Sequence, residues 1–353
     1  MPKVSGVPSL PVGRARFVIL IYFLRMETLE TRKSRIKIES GLEKMDGTHP
    51  ELPVALEKDG KAKALAFFDI DETLLSLRSM TKHALSQLYP QEADKDELQR
   101  IDLLGNKLGH SYRGHDRLIE IYENGHKKWI DPERYWRERY LPNEKDIDGK
   151  DGVAHKRAAE NAAKYAEIAT KLIEEEYKSH PEKFEEIKLK PIFHLAELYQ
   201  RLGIPMVLMT ANPGKYANAI AKILGLADLF LDLATDEMMI GGGKERAMEH
   251  LIKGLESKGV KIARDRLIAV GDSIRGDVGT LRGVKGATGQ KGVLVLHNRA
   301  ALEKIQQQIK DDPSLRDIVE NIDVDGIVLN EVPVNERGNP RFGGKSREFI
   351  ARL

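Results

Sequence analysis

A short unbroken apolar run that ends in acids constrains this chain more than any other feature. Residues 64–68 (ALAFF) lead straight into Asp69-Ile70-Asp71-Glu72-Thr73. A run of this length without polar alternation suits a parallel strand covered on both faces, whose polar groups emerge only at its carboxyl end. Four further runs follow much later, at 206–209, 229–233, 267–270 and 293–296, with a weaker one at 327–329. Between them, 215–224, 245–258 and 300–310 carry apolar residues at three- and four-residue spacing, the signature of helices with one buried face. This alternation predicts an α/β fold built on a doubly wound, Rossmann-like parallel sheet.

About 130 residues separate the first two strands, too many for a simple crossover. The spacing of Ala158, Ala162, Tyr165, Ala169 and Leu172 predicts a helix running to about Tyr177, closed by His180-Pro181. Shorter helices are expected at 79–88, 116–123 and 132–140, so the insertion reads as helical throughout. The expected organisation is an amino-terminal extension over 1–60, a catalytic core made of 61–78 and 190–333, a helical cap over 79–189 and a tail over 334–353. Within the cap, Trp129, Tyr135, Trp136 and Tyr140 interleave with Arg134, Arg137 and Arg139. Such a pattern usually buries an aromatic helix face while arginines stay in water. Trp136 and Arg137 are also candidates for gripping an anionic substrate.

The amino terminus carries FVILIYFL at 17–24 after three basic residues. As a helix it would span ~12 Å at ~1.5 Å per residue, against ~30 Å of hydrocarbon. It is therefore read as a strand or packed arm, or as sequence upstream of a start at Met26 or Met45, and no membrane association is expected. Charged residues make up 32% of the chain and hydrophobic ones 41%, which excludes disorder and a membrane bundle. Lys and Arg number 57 against 55 Asp and Glu, a net +2, so no global field draws in nucleic acid. There is no cysteine, hence no thiolate metal site and no cysteine nucleophile, and a cytoplasmic location is expected.

Ligands of doubly wound sheets bind beyond the carboxyl ends of the strands. Asp69 and Asp71 flank a single residue at one such end. In phosphoryl transfer one carboxylate can attack phosphorus while another, protonated, donates to the leaving oxygen. Two carboxylates and a phosphate within a few ångströms repel by several kcal/mol even at an effective dielectric of about 20, so a cation and a lysine are needed beside them. The run 267–270 leads into Gly271-Asp272-Ser273-Ile274-Arg275-Gly276-Asp277, whose two carboxylates suit oxygen ligation of Mg²⁺. Lys244 opens a helix after a glycine run. Thr210, with Ala211 and Asn212, ends the second strand where a hydroxyl and backbone N–H groups can hold phosphate oxygens. Ordinary structural roles compete at each place: Asp277 as a helix cap, Lys244 as a solvated lysine, Thr210 as a turn residue.

These residues, in this order, resemble the four motifs of the haloacid dehalogenase superfamily: Asp69-x-Asp71-x-Thr73, then Thr210, then Lys244, then Gly271-Asp272 with Asp277. The stretch FFDIDETLLSLRSM is most similar to the phosphoserine-phosphatase-like branch, and the insertion occupies the slot of that branch's helical cap. The resemblance implies that Asp69 is a nucleophile and Asp71 a general acid and base. It implies that Thr210 and Lys244 stabilise the transferred phosphoryl group. Asp69, the Asp71 carbonyl and Asp272 would hold Mg²⁺, with Asp277 supporting the ion or orienting Lys244. The dehalogenases of the superfamily lack the second acid, which is present here as Asp71. The expected activity is hydrolysis of a small phosphorylated metabolite. A phosphomutase using the same residues and a non-catalytic phospho-ligand-binding module are the alternatives.

Overall fold

An apolar strand can be covered on both faces only if its own backbone groups pair with flanking strands, and the sheet of this protein does that. The structure, a computed structural model, describes residues 34–76, 119–123, 126–130, 153–239, 243–331 and 347–352. Arg35–Glu39 (β1) and Glu51–Ala55 (β2) form an antiparallel hairpin, and Lys61–Ala62 is a two-residue strand, β3. Leu65–Asp69 (β4) follows. Ile119–Glu123 (β5) and His126–Ile130 (β6) form a second hairpin, and Val153–Ser179 (α1) and Pro181–Glu186 (α2) complete the insertion. Then come Lys190–Leu202 (α3), Met206–Met209 (β7), Gly214–Ile223 (α4), Asp232–Ala234 (β8), Asp236–Met239 (α5), Gly243–Ser257 (α6), Lys261–Ile262 (β9) and Leu267–Gly271 (β10). Lys291–Asn298 (β11), Arg299–Asp311 (α7), Pro313–Asn321 (α8), Asp323–Glu331 (β12) and Arg347–Arg352 (β13) end the described chain.

The main sheet has the order β13-β12-β11-β10-β4-β7-β8. Six strands are parallel and β13 alone runs antiparallel, along β12. After β4 the chain builds outward through β7 and β8, then crosses to β10 on the other side. The ends of β4 and β10 therefore flank a topological switch point. Successive side chains of a strand face opposite ways, and the two sides have separate cores. Ala66, Phe68, Leu208 and Val270 pack with α1, α3 and α4. Leu65, Phe67, Val207 and Ala269 pack with α6, α7, α8 and the β1–β2 hairpin.

Several expectations need correction. The insertion is not helical throughout, because 119–123 is a strand. Ile119 to Glu123 pairs with His126 to Ile130 across Asn124-Gly125, and Asn-Gly is a strong hairpin signal that helical spacing hides. Of the expected apolar stripe of α1, Ala169 is buried and Leu172 packs against the first core, and Ala166 and Ile173 are buried as well. The apolar run 229–233 enters the sheet only from Asp232. Its first part follows a 3₁₀ turn over Leu226–Asp228, with the Leu229 and Phe230 amides bonded to Leu226 O, and Phe230 serves the core. Where the sequence suggests an extension, β1 and β2 bury Ile38, Leu52 and Val54. Where it suggests a tail, β13 covers the edge of β12, and edges left open invite pairing with other chains. The run 17–24, the helices expected at 79–88 and 132–140, Trp136 and Arg137 lie outside the described residues.

The insertion leaves and re-enters the core through paired backbone. Ser76 N–H donates to Ile187 O at 2.9 Å, and Leu189 N–H to Leu74 O at 2.8 Å. Gly203 ends α3 with φ +70° and accepts the Ala55 N–H at 2.8 Å, tying the β1–β2 hairpin to the core. A Cβ there would lie 2.7 Å from Ala55 Cβ and 2.8 Å from Ala55 N. Gly203→Ala is expected to lower stability by at least about 2 kcal/mol, through left-handed strain and overpacking. A urea midpoint that does not move would contradict this.

Candidate active site

Asp69 is the last residue of β4, and Asp71 lies two residues beyond it, at the switch point. The turn between them is tight: the Leu74 and Leu75 amides both bond to Ile70 O, at 2.9 and 3.0 Å. Asp272 follows β10 directly. Asp277 stands at the head of a 3₁₀ turn over Val278–Gly283, but its side chain does not cap it. Instead its Oδ2 accepts the Ser273 N–H at 2.9 Å, closing the loop after β10, and its Oδ1 accepts from Lys244. The helix-cap reading of Asp277 is therefore set aside.

Lys244 enters from the first turn of α6. Its Nζ donates to Asp69 Oδ1 at 2.7 Å as well as to Asp277. The three side chains are only 13%, 9% and 5% exposed, so Lys244 is not a solvated helix-start lysine. Burial opposes its charge, yet Asp277 and Asp69 together raise its pKa above the ordinary lysine value. Thr73 Oγ1 lies 3.4 Å from Asp69 Oδ2, a long contact from within the same motif.

Asp71 is held differently. Its Oδ2 accepts from Thr210 Oγ1 at 3.1 Å and from Asn212 Nδ2. Thr210 Oγ1 in turn accepts the Asn212 N–H at 3.1 Å. Thr210 is thus both a turn residue and a partner of the second acid, and Ala211 lies between Thr210 and Asn212 in that turn. Burial pushes Asp71 up to about 6, opposed by the Thr210 hydrogen bond and Lys244 and assisted by Glu72. Asp69 is driven well above the usual carboxylate range, first by burial, with Asp277, Asp272 and Asp71 adding to it and Lys244 opposing. Asp272 is exposed as a residue at the mouth of the site, yet crowding of its carboxylate by the site and then the charge of Asp277 hold it above the usual carboxylate range.

Among the described residues, four carboxylates thus share one lysine, an excess of negative charge, and three of the four are poorly hydrated. One oxygen each of Asp69, Asp272 and Asp277 lies within 4.8 Å of the others. A hard divalent cation with oxygen ligands fits this donor set and relieves the excess charge. The structure brings Asp69, Asp71, Thr210, Asn212, Lys244, Asp272 and Asp277 together. Glu72 and His297 also stand at its rim and were missed. The signal for His297 was its position just past the apolar run 293–296, at a strand end.

An acidic loop at the carboxyl edge of a doubly wound sheet, with a lysine supplied by a later helix, defines a class of hydrolases. Residues 63–285 match the model of the haloacid dehalogenase-like hydrolase family, and the chain belongs to it. No curated protein matches the chain. Among solved structures it is similar to CbbY from Rhodobacter sphaeroides in complex with phosphate, at 15% identity and TM-score 0.41, over 66% of this chain and 85% of that one. It is similar also to the HAD-hydrolase YfnB from Bacillus subtilis bound to magnesium, at 12% identity and TM-score 0.38, over 66% and 88%. A third is a HAD phosphatase from Thermococcus onnurineus, at 18% identity and TM-score 0.37, over 66% and 86%. Among the described residues no helix is long and apolar enough to cross a membrane.

Proposed function

We propose that this chain is a Mg²⁺-dependent phosphatase that hydrolyses a small phosphomonoester through an aspartyl-phosphate on Asp69. The observation that carries this is the different environment of its two acids: Asp69 lies against Lys244, while Asp71 lies against Thr210 and Asn212. Environments that separate two carboxylates assign them separate roles.

An Asp69 oxygen attacks phosphorus and the ester P–O bond breaks, with the leaving oxygen taking a proton from Asp71. Asp71 then removes a proton from water as that water attacks the aspartyl-phosphate, and Asp69 is released with inorganic phosphate. The raised affinity of Asp71 for its proton suits a group that gives and recovers one near neutral pH. Lys244 balances charge on the phosphoryl oxygens, and Asp277 keeps its ammonium aimed there. Mg²⁺ held by Asp69, Asp272 and the Asp71 carbonyl, with Asp277 in support, would supply the remaining positive charge. Trp136 and Arg137 are proposed to meet the substrate from the inserted segment. The near-neutral charge supports a small phosphorylated metabolite rather than nucleic acid or membrane, and the lack of cysteine accords with a cytoplasmic setting.

The test is turnover of an aryl phosphate and of a panel of phosphorylated metabolites, with Mg²⁺ and after chelation. Chelation is expected to reduce turnover by at least about 10²-fold, with recovery when Mg²⁺ is restored. Undiminished turnover in chelator, or no hydrolysis across the panel, would refute the reading.

A further inference from the structure

The turn after β7 carries a closed set of hydrogen bonds. An asparagine has three N–H protons, two on its side-chain amide and one on its backbone, and a threonine hydroxyl has one proton and two lone pairs. Asn212 Nδ2 donates to Asp71 Oδ2 and, at 3.2 Å, to Thr210 Oγ1, while the Asn212 backbone N–H donates to that same Oγ1 at 3.1 Å. Thr210 Oγ1 thereby fills both lone pairs, and it directs its own proton at Asp71 Oδ2, 3.1 Å away. The N–H groups of Asn212 and the whole capacity of the hydroxyl are committed within this cluster, with none left over for a phosphate oxygen. The reverse orientation of the amide would set its oxygen against a carboxylate. Asn212 is 8% exposed and Thr210 0%, so water competes little for these bonds. Both side-chain hydrogen bonds to Asp71 fall on Oδ2, and among the described residues Oδ1 takes none from a side chain.

We propose that Asn212 is a positioning residue for the general acid: with Thr210 it holds Asp71 by Oδ2 alone, which leaves Oδ1 to pass the proton to the leaving oxygen. The inference deepens the phosphatase reading and rests on it. It removes Asn212 from the phosphate-holding role that its place in the turn suggests. Thr210 keeps its donor on Oδ2 when Asn212 is cut back, so the carboxyl group is loosened rather than freed, and only part of what the acid supplies is lost. A group that orients the acid matters where the leaving oxygen needs a proton and matters little where it does not. A group that grips phosphate matters equally for every ester.

The experiment compares phenyl phosphate, whose phenoxide is as basic as a tyrosine side chain, with 4-nitrophenyl phosphate, whose phenolate leaves readily without a proton. The measured quantity is kcat/KM, which reports the step that breaks the ester bond. General acid catalysis contributes about 10²–10⁴-fold, so the partial loss in Asn212→Ala should lower kcat/KM for phenyl phosphate by about 10–10²-fold. For 4-nitrophenyl phosphate the fall should stay below about threefold, with inhibition by inorganic phosphate unchanged within about twofold. In an Asp71→Ala background the substitution should change neither ester by more than about twofold, because no acid remains to orient. Asn212→Leu, close in shape to asparagine and without a donor, should behave as the alanine variant does, and it serves in its place if that variant does not fold. Equal losses on the two esters, weaker inhibition by phosphate, losses that persist without Asp71, or no loss at all would overturn the proposal. If the wild-type protein hydrolyses neither ester, the phosphatase reading fails, and urea midpoints then decide the pairing. The destabilisations by Asn212→Ala and Asp71→Ala should be less than additive in the double variant, and additive values would sink the pairing.

Discussion

Asp69→Asn is expected to cut phosphatase turnover by at least about 10⁴-fold, the scale of losing a covalent nucleophile, while the protein still folds. The amide keeps the shape of the carboxyl group but cannot attack phosphorus. Lys244 retains Asp277 as a partner, so the substitution does not strand a buried ammonium. Asp69 also carries a strong burial cost for its charge, with three other acids adding to it, and removing that charge offsets part of the lost contact with Lys244. The check is a side-by-side measurement of kcat on an aryl phosphate and of the thermal midpoint. Turnover within about tenfold of the parent would remove Asp69 from the role of nucleophile.

The second large effect concerns stability as well as activity. Lys244→Met should destabilise the metal-free protein by about 3–5 kcal/mol, the usual consequence of removing one member of a buried ionic group. Asp69 and Asp277 would then face each other at 9% and 5% side-chain exposure with no cation between them. Mg²⁺ should recover part of that loss, since it supplies charge to the same oxygens. Denaturant midpoints with and without Mg²⁺ test both halves of the expectation. A variant as stable as the parent in chelator would show that Lys244 does not hold the two carboxylates together.

The strands that carry the site were legible because each is short, apolar throughout and covered on both faces. Met206–Met209 falls where its run predicts, and Leu267–Gly271 extends its run by one residue. Lys244, by contrast, is 175 residues from Asp69. Its place could be inferred only by matching the order of motifs, because nothing local to residue 244 says which carboxylates it meets. Asn212 was grouped with the phosphate-binding turn, and its contact with Asp71 depends on β4 and β7 lying side by side. Nothing in the run 293–296 shows that the strand continues far enough to bring His297 to Glu72, which depends on its pairing with β12. The β5–β6 hairpin leaves only Asn124-Gly125 as its mark in the sequence, because its strands also fit helical spacing.

Local pattern by itself determined the central strands Leu65–Asp69, Met206–Met209 and Leu267–Gly271 and the helices between the later runs, and that acids follow two of those strands. Burial on both faces demands continuous apolar runs, and an exit from the sheet demands polar residues, so both leave a mark in a single stretch of chain. Tertiary structure alone decided that β10 lies beside β4, that Asp277 serves Lys244 rather than a helix end, and that β11 overreaches to bring His297 against Glu72. Those outcomes depend on which backbone edges pair and how far they run in register, a choice made by the whole core rather than by any segment within it.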